Sequence, residues 1–273
     1  MNTSSLFNKI TSLSLSNLSP VSVAVLGTIR LTVNGKPARI KSESKAAYLL
    51  LYLTLARPHR LQRTELLDRV WPGVESTLAG QCLNSLTYSL NKLTRPFLKI
   101  PELIIHQSGY YHLNTEEGVT VDLDYFEAWS EQGKNLLANG NISDGLAFCQ
   151  QALALYQGKL GGESNLETLI ERERLHLIFL DLLARLADHY YAHHEPVEAL
   201  CYIQRLLTHD PCREDAHRLA MRCYTRIHQR TQALRQYQLC CQALALEFDI
   251  QPEPETIALF ERIRLHPNNI CSN

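Results

Sequence analysis

The residues from Thr77 to Arg95, TLAGQCLNSLTYSLNKLTR, are the stretch of this 273-residue chain whose types and spacing could do chemistry. Wound as a helix at about 100° per residue, they place Gln81, Asn84, Tyr88, Asn91, Lys92 and Arg95 on one side. That row offers amides, a phenol and two cations, and no carboxylate. Amides can pair bidentately with adenine, cations suit guanine or phosphate, and a helix fits the major groove of DNA. On the other side Leu83, Leu86, Leu90 and Leu93 recur at helical spacing with Ala79 and Cys82, which predicts a core-facing stripe.

Other groupings carry less. His189, His193 and His194, with Asp188 and Glu195, share a helix at metal-compatible spacing, but no further ligand set completes a site, so they are expected to be ordinary helix histidines. None of the eight cysteines forms a C-x-x-C pair, which predicts free, mostly buried thiols in a reducing compartment. Neighbouring Cys240 and Cys241 diverge on a helix and cannot face one ligand. Gly161-Gly162 has neither a strand before it nor Lys-Ser/Thr after it, so it is not a phosphate loop. With no nucleophile–base pair or paired-carboxylate motif, the chain reads as a non-enzyme needing no cofactor.

Charge divides the chain. Residues 1–113 hold 13 Lys or Arg against five acids, a net +8, whereas the remainder holds 14 against 23, a net −9. The whole-chain balance of −1 conceals a basic front half, suited to a polyanion, joined to an acidic back half. No apolar run is long enough to span a membrane. The Ser-rich residues 1–20 lack a signal-peptide core and read as a disordered lead-in, consistent with a cytoplasmic protein.

The elements that must position the Thr77–Arg95 row follow from the flanking sequence. VSVAVLG, TIRLTV and PARI are short β-rich runs, and Asn34-Gly35 marks a hairpin. Ser42 to Ala56 predicts a buried helix, with Ser42 or Ser44 offering an N-cap, closed by Pro58. Gln62 to Trp71 predicts a second helix ended by Pro72-Gly73, and the Thr77–Arg95 helix is stopped by Pro96 and Pro101. Leu103 to Leu113 reads as two strands turning at Ser108-Gly109. Three helices closed by a β-hairpin make a winged helix-turn-helix over residues 21–113. After an acidic linker, NTEEGVTVDLDYF, residues 122–266 read as helix throughout. There Tyr190, His194 and Ala199-Leu200 return as Tyr224, His228 and Ala233-Leu234 at an offset of 34, and Gly145-Leu146 precedes Ala199-Leu200 by 54, that period plus an insertion. A 34-residue helix-turn-helix period is the tetratricopeptide signature. The expected fold is therefore mainly α with a small β component, a winged helix followed by an all-α tetratricopeptide-like domain.

RLQRTELLDRVWPG, AGQCLNSLTYSLNKL, and HQSGYYHL followed by VDLDYFEAW resemble the SARP-type bacterial transcriptional activators, over about Val23 to Arg264. Those proteins join an OmpR-like winged helix to a bacterial transcriptional activation domain. The resemblance implies that Gln81, Asn84, Tyr88, Asn91 and Lys92 face DNA, that Arg63 sits by phosphate at a helix N-terminus, and that His106 and Gln107 lie on the wing near the minor groove. It also implies double-stranded promoter DNA and RNA polymerase as partners, with self-association of copies on direct repeats. Where recognition helices of the family carry several arginines, this chain has Gly80, Asn84, Ser89 and Asn91. The alternative reading is a tetratricopeptide-type interaction scaffold whose winged helix no longer reads DNA.

Overall fold

A computed structural model describes residues 19–41, 43–98, 102–161 and 165–265. Most of the lead-in 1–20 lies outside them, as do Ser42, Lys99, Pro101, Gly162 and Cys271. The described part of the lead-in is not loose: Ser19 is buried, and its hydroxyl donates to the carbonyls of Val21 and Gly118. The fold is mainly helical with a small N-terminal β component, and the chain forms two compact units, Met1–His176 and Leu177–Asn273.

Unit 1 opens with β1 (Val21–Ala24), β2 (Arg30–Val33) and β3 (Lys36–Pro37). Asn34 and Gly35 both adopt positive φ, 49° and 73°, as a two-residue hairpin requires. Helix α1 (Lys45–Leu55) is capped by Ser44, whose Oγ accepts the Ala47 N–H at 3.3 Å. It is buried continuously from Leu49 to Thr54, so it forms the centre of the unit's core. Strand β4 (Arg60–Gln62) leads directly into α2 (Arg63–Val70), and α3 (Ser76–Thr94) follows. The hairpin β5 (Ile104–Gln107) and β6 (Tyr110–Leu113) turns at Ser108-Gly109 with φ 51° and 77°.

Two strands depart from the expected pattern. β4, read in the sequence as loop and helix start, pairs with β6 to make the sheet order β4-β6-β5. β7 (Val119–Val121), read as linker, lies parallel to β1 and completes the sheet β3-β2-β1-β7. The chain then runs straight into α4 (Asp122–Ala138) and α5 (Ile142–Leu155). The fully buried Asp122 carboxylate accepts the backbone N–H groups of Val25 and Leu26, each at 2.9 Å. Residues beyond Leu113 thus help to build the front sheet. α6 (Leu166–Ala192) begins in this unit, where Asn165 donates to the Tyr52 hydroxyl at 3.1 Å and Arg69 pairs with Glu167 at 2.9 Å.

Unit 2 holds the rest of α6 with α7 (Pro196–His209), α8 (Glu214–Arg226), α9 (Arg230–Phe248) and α10 (Pro254–Leu265). Its 34-residue period has a backbone cause. His194 and His228 both take left-handed φ, 62° and 61°, just past a helix. The next N–H reaches back to the periodic tyrosine carbonyl: Glu195 to Tyr190 at 2.9 Å, Gln229 to Tyr224 at 2.8 Å. These are Schellman caps. Gly140, 54 residues before His194, makes the same cap with φ 79° and Asn141 N–H to Leu136 O at 2.9 Å. The tyrosines also pack: Tyr190 stacks on Tyr202, and Tyr237 on Phe260 beside a core of Met221, Ala233, Leu259 and Ile263.

Candidate nucleic-acid interface

The sides of α3 are set by what fits beneath it. Its buried side is Ala79, Gly80, Leu83, Thr87, Leu90 and Thr94, not the leucine stripe alone. The helix is rotated from the expected orientation because small residues at 80, 87 and 94 allow a closer approach than Leu86 or Leu93 could. Cys82 and Leu93 are consequently exposed and Leu86 only half-buried. Gly80 is the tightest point: a Cβ there would collide with the guanidinium of Arg63 from α2. Arg63 is therefore held against α3, half-buried, while its backbone N–H donates to Gly109 O in the wing turn at 2.9 Å.

The outward side keeps most of the expected row. Gln81, Asn84, Tyr88, Lys92 and Arg95 are exposed, Tyr88 at 68%. Asn91 is different. Its amide is half-buried and makes two bonds to β5, donating to Ile104 O and accepting the Ile104 N–H, both at 2.9 Å. It fixes the wing to α3 instead of facing outward. Asn84 is partly engaged too, since its Oδ1 accepts the Tyr111 hydroxyl at 3.1 Å. Bidentate pairing with a base edge would require it to release Tyr111.

The wing supplies the remaining groups. His106 and Gln107 are exposed, and the His106 ring stacks on Tyr111 at 4.2 Å. Burial pushes the Tyr111 hydroxyl pKa up, against the pull of Arg63. One buried tyrosine therefore joins Arg63, Asn84 and His106, which come from three different elements. The sequence reading missed Arg60 and Gln62, because it missed β4. Arg60 lies over the Tyr110 ring at 3.8 Å, and Gln62 donates to the Tyr110 hydroxyl at 3.3 Å. The alternation of Arg60, Leu61 and Gln62, exposed-buried-exposed, is the signal that could have shown them.

Among the described residues no His, Cys, Asp or Glu group could hold a metal ion, and no helix is long and apolar enough to cross a membrane. His193 bonds through Nδ1 to His189 O at 2.8 Å, and the two rings lie 4.0 Å apart.

A winged helix continued by helical repeats is the architecture of the SARP-type transcriptional regulators, the class to which its similarities to known proteins assign this chain. The chain belongs to the bacterial transcriptional activator domain family, whose model matches residues 121–264. It is 22% identical over 242 residues to the transcriptional regulatory protein MoaR1 of Mycobacterium bovis and of Mycobacterium tuberculosis, covering 88% of this chain and 78% of that protein. In fold it is similar to Mycobacterium tuberculosis EmbR, solved in complex with a low-affinity phosphopeptide, with a TM-score of 0.70 at 21% identity. That match covers 90% of this chain and 65% of the EmbR chain.

Proposed function

We propose that this protein is a sequence-specific, DNA-binding transcription activator. Residues 21–113 read double-stranded promoter DNA and residues 122–266 contact RNA polymerase, with copies side by side on direct repeats in the cytoplasm. It performs no catalysis and takes no cofactor. The observation that carries the reading is the exposed, carboxylate-free row Gln81, Asn84, Tyr88, Lys92 and Arg95, bordered by His106, Gln107 and Arg60 of the adjoining sheet. Arg63 and Asn91 act from beneath, by setting the height and angle of α3 and the wing.

The engagement of Asn84 by Tyr111 and of Asn91 by Ile104 favours a second reading, in which this surface no longer reads bases and the repeats act as an interaction scaffold. A mobility-shift assay separates them. DNA from the protein's own upstream region should be retarded in preference to random DNA of equal length. Equal retardation of both, or of neither, leaves the scaffold standing.

A further inference from the structure

Helix α9 leaves a long strip of unit 2 uncovered. Arg235, Leu239, Gln242 and Leu246 fall within about 60° of one another around the helix, and all four are exposed. Leu239 is 53% exposed and Leu246 89%; Ile250, just past the helix end, is 49% exposed. The spacing 235, 239, 242, 246 alternates four and three, as in a helix built to lie along another helix. A leucine exposed to nine-tenths has no packing role within its own chain.

The strip is also self-complementary. Turn a second copy end for end, and Leu239 of each comes opposite Leu246 of the other, with the two-fold axis between Gln242 and Ala243. The same register brings Arg235 of each against Asp249 and Ile250 of the other. Among the described residues Arg235 and Asp249 have no ion pair, so each end carries a charge that the antiparallel partner answers. A parallel pairing would instead set Arg235 on Arg235 and Asp249 on Asp249. We infer that α9 is a symmetric self-association face, which pairs two copies of this chain antiparallel about Gln242 through Leu239, Leu246 and the Arg235–Asp249 ends. This goes beyond the proposed function: the two-fold contact belongs to unit 2, needs no DNA, and is independent of the side-by-side arrangement of the winged helices on direct repeats.

With three exposed apolar side chains per copy, the interface sits at the low end of about 1,200 Å² total, and the dimer is weak. Sedimentation velocity of the full chain, without DNA, over concentrations from low micromolar to the solubility limit tests it. The wild type should pass from monomer to dimer. Leu246→Arg should weaken association about tenfold or more, because symmetry removes two buried leucines at once, and its far-UV spectrum should match the wild type because the position is already exposed. Arg235→Gln and Asp249→Asn should each weaken the dimer, and the double variant should lose less than the two losses combined. Gln242→Cys, near the axis, should form a disulfide-linked dimer under mild oxidation beyond any seen for wild type. A wild type that stays monomeric throughout, or a dimer indifferent to Leu246→Arg, overturns the proposal. Either result leaves DNA reading untouched, since the mobility-shift assay tests that separately.

Discussion

His59 shows how far single residues are committed in this fold. It is buried, and both ring nitrogens meet only acceptors: Nδ1 lies 3.0 Å from Thr54 O and 3.3 Å from Leu53 O, Nε2 2.8 Å from an Asp124 carboxylate oxygen. Acceptors on both sides favour the doubly protonated ring, because each can then receive an N–H. Burial opposes that charge, but the hydrogen bond and charge of Asp124 outweigh burial and Arg57, and the pKa is raised. A raised folded pKa stabilises the protein below the usual imidazole value and stops doing so as pH rises through the folded one. The melting-temperature advantage of wild type over His59→Gln should therefore be greatest below the ordinary imidazole range, at about pH 6, and shrink as pH rises above it. A constant difference would mean that the ring stays neutral. The two asparagines make a second pair of expectations. Asn91→Ala deletes both bonds to Ile104 and orphans a buried N–H, so it should cost about 1–3 kcal/mol of stability and leave base preference alone. Asn84→Ala should cost less stability, because it deletes only the one part-buried bond from the Tyr111 hydroxyl, but should lose about 1–3 kcal/mol on the preferred DNA site. Chemical denaturation and competitive binding on both variants check this.

Among the elements, α3 was the most legible and also the most instructive. Its existence, its limits and its polar row follow from composition and helical periodicity, because those depend on local spacing. Its rotation does not, because periodicity cannot tell that Gly80, Thr87 and Thr94 would lie deeper than Leu86 and Leu93. That depends on what α2 brings across, namely the Arg63 guanidinium over Gly80. The two missed strands fail for a related reason. β4 and β7 are three residues each, too short for a period, and each exists only because of a distant partner, Tyr110–His112 for one and Val21–Val23 for the other. By contrast Asn34-Gly35 and Ser108-Gly109 name their hairpins locally. The repeat offset of 34 was visible while its cause, the left-handed caps at His194 and His228, was not. The same geometry yields an element-level expectation. Lys92 projects from the exposed row of α3 with no role in its packing, so Lys92→Ala should reduce the dependence of log affinity on log salt by about 0.9, with sequence preference and melting unchanged. An unaltered slope in a salt titration would remove Lys92 from the phosphate contacts.

At the scale of the molecule, the reversal of charge near Leu113 suggests a chain divided there, and the family match beginning at residue 121 places its own boundary close by. The contacts of unit 1 run on to His176. β7 covers the far edge of β1, whose Val21 and Val23 are completely buried, and Asp122 satisfies the N–H groups of Val25 and Leu26 where β1 ends. Further along, Gln157 donates its backbone N–H to Leu26 O, and Arg57 pairs with Glu127 at 2.7 Å. A fragment ending at Leu113 would expose the edge of β1 and leave those donors to water, although it keeps every proposed base contact. It should melt at lower temperature and less cooperatively than a fragment ending at His176. Burial raises the Asp122 pKa to about 7 against the pull of the Leu26 and Val25 N–H groups, so the net contribution of this side chain to stability is greatest below the ordinary carboxylate range and falls as pH rises toward that value, where the buried group must ionise. The longer fragment should accordingly lose stability relative to its Asp122→Asn variant between about pH 4 and pH 7, and the shorter fragment, lacking the residue, should show no such component. Calorimetry on the two fragments decides the matter. If the one ending at Leu113 melts as sharply and as high as the one ending at His176, residues 119–176 are dispensable to the winged helix and the functional boundary is also a folding boundary.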